Sequence, residues 1–155
     1  MAQPNSAVER ITAALAIAGG GLMLAASLLV TVSVLLRWAT SRGINGDFDL
    51  IQFAMPLAVF AFLPWCQLRG GNIFVDTFTL KLPKAVNAAL DGLWALAYAA
   101  IAGLIAWRMA IGAQETVVSG TGTMVLNLPI GWAMAVAAIF ALWLAIVTVT
   151  TIRRA

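Results

Sequence analysis

Chemistry needs nucleophiles, acids and bases, and this chain of 155 residues carries few of them. It has six carboxylates, nine basic side chains, one cysteine and no histidine. Without histidine, His-ligated zinc or haem and imidazole acid/base catalysis drop out. Cys66 alone cannot make an intrachain disulfide, a CxxC redox pair or a thiolate cluster. Glu9, Asp47, Asp49, Asp76, Asp91 and Glu115 form no acid-rich cluster, so no metal site is expected. GxxxxGK-S/T, GxGxxG and GxSxG do not occur, leaving nucleotide binding and hydrolase chemistry without support. An enzyme is not expected, nor is a cofactor.

The remaining polar residues stand singly beside apolar runs. Asn45-Gly46-Asp47-Phe48-Asp49 leads into one such run. Aspartates there suit helix capping, with Asp47 accepting from an orphan N–H and Asp49 placing negative charge at the positive helix end. A contact from Asp49 to a partner subunit is compatible with that role. The same run closes on Arg69-Gly70-Gly71-Asn72-Ile73-Phe74-Val75-Asp76. Two glycines end a helix at little cost because glycine accepts the left-handed cap conformation. Asn72 can then cap a short helix in which Phe74, Phe78 and Leu82 share one face. Flanked by Lys81 and Lys84, such a helix would lie in the headgroup layer, although a plain polar connection is the alternative. Asp91 falls inside a probable span, where a carboxylate can serve as a proton or cation site. Its place near the helix start, one turn after Asn87, favours pairing with a neighbouring base or partner chain instead.

The elements that hold these residues follow from composition. The chain is 63% hydrophobic and 10% charged, far from the roughly 45–50% apolar and about 25% charged content of soluble domains. A membrane-spanning helix needs about 20 predominantly apolar residues. Three runs meet this, at about 11–36, 50–68 and 128–152. A further run, third in chain order, Leu93 to Trp107, is short, so its helix is expected to begin after Pro83 and carry Asp91, giving a span at about 84–110. The first is too long for a signal-peptide core of about 7–15 residues and lacks a basic leader. The expected fold is an all-α membrane protein, one domain over 1–155, with four transmembrane helices and a short interfacial helix between the second and third. The net charge of +3 comes from isolated Lys and Arg, which suit anchoring at the lipid interface better than nucleic acid.

Orientation follows from loop charge. Arg10, Arg69, Lys81, Lys84, Arg153 and Arg154 share one side, against Arg37, Arg42 and Arg108 on the other. The positive-inside rule then places both termini in the cytoplasm. In this reading Arg37 and Arg108 sit at helix ends and snorkel to the headgroups. If the third helix continues from Lys84 to Val118 it is about 50 Å long at the standard rise, so it should project past the membrane on the outer side, or tilt and kink. Rows of small residues allow close helix packing in lipid: Ala133, Ala137, Ala141 and Ala145; Ala95, Ala99 and Gly103; Ala16-Gly20 and Gly21-Ala25. Trp38, Trp65, Trp107 and Trp132 fall near span ends, as an aromatic belt requires; Trp94 and Trp143 lie deeper, suited to filling gaps between helices.

The order of these features resembles the DctQ-like small membrane subunit of tripartite ATP-independent periplasmic (TRAP) transporters. Arg69, Gly71, Ile73, Val75 and Asp76 match the family's R-x-G-H-I-x-V-D stretch, with Asn72 in place of the usual histidine, and Leu82-Pro83 follows. Leu126-Asn127-Leu128-Pro129-Ile130-Gly131-Trp132 is similar to the family's opening of span four, without the proline that often follows within that span. The resemblance implies a multi-pass protein of the bacterial inner membrane, partnered by a large multi-span subunit that holds the substrate and sodium sites. It also implies a periplasmic binding protein that delivers an organic anion, commonly a carboxylate. The small chain would brace the large subunit and transport nothing alone. Asp49, Arg69, Asn72, Asp76 and Asp91 are then the candidate interface or structural residues. The competing reading is a self-sufficient four-helix exporter, which would want a carboxylate deep in its first helix; Ile11 to Leu36 has none.

Overall fold

The computed structural model describes residues 7–71 and 84–152. Within them the chain forms four helices: α1 (Ala7–Thr40), α2 (Asp47–Leu68), α3 (Lys84–Val118) and α4 (Ile130–Ile152). All four are long and apolar enough to cross a membrane. In lipid, every backbone polar group needs an internal partner, and a helix supplies one for each. The expected interfacial helix, with Asn72 and Asp76, lies outside the described residues.

Both described α2 and α3 termini use the same stop. Gly70 and Gly120 adopt left-handed backbone, with φ of 63° and 64°. Gly71 N–H then bonds the Cys66 carbonyl and Gly70 N–H the Gln67 carbonyl; Thr121 to Thr116 and Gly120 to Val117 repeat the pattern. This is the Schellman arrangement, which satisfies carbonyls that the last helical turn leaves over.

The helices pack in the order α1–α2–α4–α3, so α1 and α3 are edge helices, each with one principal neighbour. The seams are alanine-rich. Ala54, Ala58 and Ala61 of α2, Ala102, Ala106 and Ala113 of α3, and Ala137, Ala138 and Ala141 of α4 are buried. Small side chains bring backbones close enough for dispersion to hold them where lipid removes the hydrophobic drive. On α1 the buried positions are Thr12, Gly19 and Ser33, spaced in sevens. A Cβ on Gly19 would meet Ala61 Cβ at 3.0 Å and the Ala58 carbonyl at 3.3 Å. Of the expected small pairs on α1, Gly21-Ala25 lies to one side of this seam, with Gly21 facing open space and Ala25 exposed, while Ala16 and Gly20 are half-buried beside it. A seven-residue row, 3.5 per turn, keeps one line of contact along a partner helix where a four-residue step drifts off it.

The α3–α4 register fixes depth. A Cβ on Gly131, in the first turn of α4, would come 2.9 Å from the Ala113 carbonyl, and Thr116 Oγ1 lies 3.6 Å from Met134 Sδ. Towards the other end Ala99 lies beside Ala145, Ile146 and Val149. Val118 is therefore level with the start of α4, and α3 does not overshoot at the connection end. Its extra length, roughly ten residues or about 15 Å, lies at the Lys84 end, past Ile152. Relative to α4, the surplus length of α3 thus lies at the end opposite the connection; a projection on the outer side, or a tilt and kink, is the expectation from sequence. Arg108 is also removed from a helix end, because α3 continues to Val118.

Candidate functional site

The polar residues gather at the end that carries the 41–46 and 119–129 connections. Ser33, buried on α1, donates its hydroxyl to Asp47 Oδ2 and accepts from Ile44 N–H at 3.2 Å. Arg37, one turn along α1, places Nη2 3.7 Å from the same carboxylate oxygen. Asp47 Oδ1 accepts from Phe48 N–H at 2.7 Å. The α1–α2 turn is thus tied by one serine and one aspartate. The N-cap position of α2 is Gly46, with no side-chain cap bond; Asp47, one residue on, accepts from the orphan Phe48 N–H as expected and tethers α1 as well.

Asp49 reaches the other connection. It is fully buried, and its Oδ2 accepts from Val125 N–H at 3.0 Å and Leu126 N–H at 2.7 Å. The segment it holds is itself closed: Thr123 N–H bonds the Leu128 carbonyl at 3.0 Å, and Leu128 N–H bonds Thr123 Oγ1 at 3.1 Å. Gly122 and Pro129 pair as a single antiparallel bridge. Gly46, with φ of 81°, lets Leu126 sit against the backbone; a Cβ there would come 2.6 Å from Leu126 Cδ1. The result is a rigid cap across the ends of α2, α3 and α4, with Met124 and Val125 exposed on it. Asp49 therefore has an intrachain partner that neither capping nor a subunit contact anticipates.

The other candidate residues lie apart from this cap. Arg69, at the far end of α2, places its guanidinium 4.4 Å from the Trp65 ring centroid. Asp91 is exposed on the part of α3 that extends beyond Ile152. Asn72 and Asp76 lie outside the described residues. The structure therefore joins Asp47 and Asp49 but separates both from Arg69 and Asp91. No group of three or more His, Cys, Asp or Glu that could hold a metal occurs among the described residues. Thr12, a buried hydroxyl not singled out from sequence, accepts from Trp143 Nε1 at 3.0 Å and ties α1 to α4. Its signal was its spacing with Gly19 and Ser33. Trp94, expected to fill a gap, is 63% exposed.

Such an arrangement positions helices. The comparison with protein families agrees with it: the model for tripartite ATP-independent periplasmic transporters, DctQ component, matches residues 26–155. The chain belongs to the DctQ family. It is a small membrane subunit of a TRAP transporter, in a family of transporter components and not of enzymes. The match covers α2, α3, α4 and the later part of α1, and includes the Arg69–Asp76 stretch. Comparison with the curated proteins and with the solved structures gave no match.

Proposed function

We propose that this DctQ subunit braces the large membrane subunit during cation-coupled uptake, with sodium as the cation and an organic anion such as a carboxylate as cargo. A periplasmic binding protein would deliver that cargo. The observation that carries the reading is the open row α1–α2–α4–α3. Its seams are closed on alanine, while the edge helices keep broad apolar faces that include Ile17 and Leu24 on α1 and Leu104 on α3. Edge helices with open apolar faces offer a partner an extended surface.

Carboxylate placement favours this over a self-sufficient exporter. Among the described residues Glu9, Asp47, Asp49 and Glu115 lie near helix ends, and Asp91 lies in the extension of α3. Proton or ion coupling across a bilayer would call for one near the midplane. We also propose an inner-membrane location with both termini in the cytoplasm. The termini end carries Arg10, Arg69, Lys81, Lys84, Arg153 and Arg154 in sequence. With Arg108 moved to mid-helix, only Arg37 and Arg42 remain opposite, which strengthens the charge bias. Reconstituted vesicles test the role: uptake should require the large subunit, this chain and the binding protein together. Cation-driven uptake by this chain alone would overturn it. Reporter fusions at Gly120 and after Ile152 should report opposite sides.

A further inference from the structure

Arg108 stands where a charge is expensive. The α3–α4 register places it beside Ala138 and Ile139, about 12 Å below the start of α4 at the helical rise. α4 has 23 residues, about 34 Å at the helical rise, so crossing a core of about 30 Å takes nearly all of it and puts its connection end close to the edge of the hydrocarbon. If the boundary lay instead at Arg108, α4 would cross with Ile139–Ile152 alone, about 21 Å of helix for a core of about 30 Å. Asp49, bonded to Val125 and Leu126, puts the start of α2 at the same level as the start of α4. Arg108 is therefore well inside the apolar layer, and it is exposed.

Among the described residues no carboxylate is paired with it. The ion pair described is Arg37 with Asp47. Glu115 shares the helix face but lies seven residues on, about 10 Å along the axis. That face of α3 also carries Ile101 and Leu104, 57% and 66% exposed, and α4 is the principal neighbour of α3. An arginine on lipid-facing surface at this depth has to find an anion, and intramembrane arginines pair with carboxylates of neighbouring helices.

We infer that the Ile101–Leu104–Arg108 face of α3 receives a transmembrane helix of the large subunit, and that this helix carries an Asp or Glu facing Arg108. The inference rests on the bracing role proposed above. Charge complementarity selects the occupant: the apolar pair below accepts any helix, and Arg108 accepts one with a carboxylate at matching depth. A lipid phosphate is the other anion in reach, through snorkelling towards the headgroups.

The test uses the assembled membrane complex, purified through a tag on the large subunit. Arg108→Gln should lower the small subunit recovered with it by about tenfold, while Arg108→Lys retains most of it. The total of each variant in the membrane fraction should match wild type, since Arg108 is exposed. Independently, a photoreactive residue at Leu104 should capture the large subunit, and the captured segment should contain an Asp or Glu. Equal recovery of wild type and Arg108→Gln, or capture of phospholipid alone at Leu104, overturns the inference and leaves the bracing role standing. Failure of the wild-type chain to accompany the large subunit overturns both.

Discussion

Asp49 and Leu126 lie 77 positions apart in the chain, yet a 2.7 Å hydrogen bond from the Leu126 N–H to the Asp49 carboxylate joins them. The bond crosses from the first turn of α2 to the connection between α3 and α4. Val125 N–H donates to the same oxygen, so one side chain sets the relative height of three helices. Anything that binds the connection end of this subunit meets a cap held from beneath by that carboxylate.

Substituting Asp49 is therefore expected to loosen the cap. Hydrogen bonds to a charged group contribute about 1.5–3 kcal/mol. Asp49→Ala should lower stability by about that much, because two backbone donors lose their acceptor. Asp49→Asn keeps an acceptor oxygen without the charge and should cost about half as much. Thermal unfolding in detergent measures both. Labelling of a cysteine at Val125 should also speed up in Asp49→Ala; unchanged stability and labelling would refute the clasp.

Gly46 gives a second handle on the same junction. Ala at φ of 81° carries a conformational penalty of about 1–2 kcal/mol, and its Cβ would overlap Leu126. Gly46→Ala should be destabilising beyond the conformational penalty alone. Adding Leu126→Ala should recover the steric part and leave the backbone part. A double-mutant cycle in which the two changes add independently would show that Leu126 does not rest on Gly46.

These contacts show what the sequence could and could not display. Four spans were legible because each is built around an apolar run, and the glycine stops at Gly70 and Gly120 are local chemistry. The role of Asp49 was not legible: its partners are backbone N–H groups, which carry no residue signature, and they lie in a distant segment. The depth of Arg108 was equally hidden, because it depends on the register between α3 and α4. The α1 seam was partly visible. Thr12, Gly19 and Ser33 are small or polar residues in an apolar run, but short four-residue pairs drew attention to the neighbouring Gly20 and Gly21.

Arg69 belongs to the stretch that matches the family pattern, and among the described residues its guanidinium lies over the Trp65 ring. A cation over an indole at an exposed site contributes about 0.5–1 kcal/mol. Arg69→Ala should thus shift the unfolding midpoint only slightly in the isolated subunit. Its effect on recovery with the large subunit is the informative comparison. A marked loss of complex with a stable subunit assigns Arg69 to the interface; normal recovery confines it to anchoring the end of α2.

The α1–α2 seam distinguishes two glycines only two residues apart. Gly19 lies against Ala61 Cβ and the Ala58 carbonyl, whereas nothing lies within 4 Å of a Cβ on Gly21. Gly19→Leu must push the helices apart along a row that Thr12 and Ser33 continue in both directions. Inserting bulk into a close-packed contact costs about 1–3 kcal/mol, and separation would also strain the Ser33–Asp47 and Arg37–Asp47 tethers at one end of the seam. Gly21→Leu adds the same side chain to open space and should be neutral, or slightly stabilising because leucine favours helix over glycine. Cysteine pairs across the seam, with one partner at Ala16 and the other on α2, report separation directly through cross-linking yield. Loss of yield in Gly19→Leu with retention in Gly21→Leu is the expected result. The reverse pattern would place the contact line of α1 through Gly21 and the exposed Ala25, as the four-residue spacing suggests, and not through Gly19.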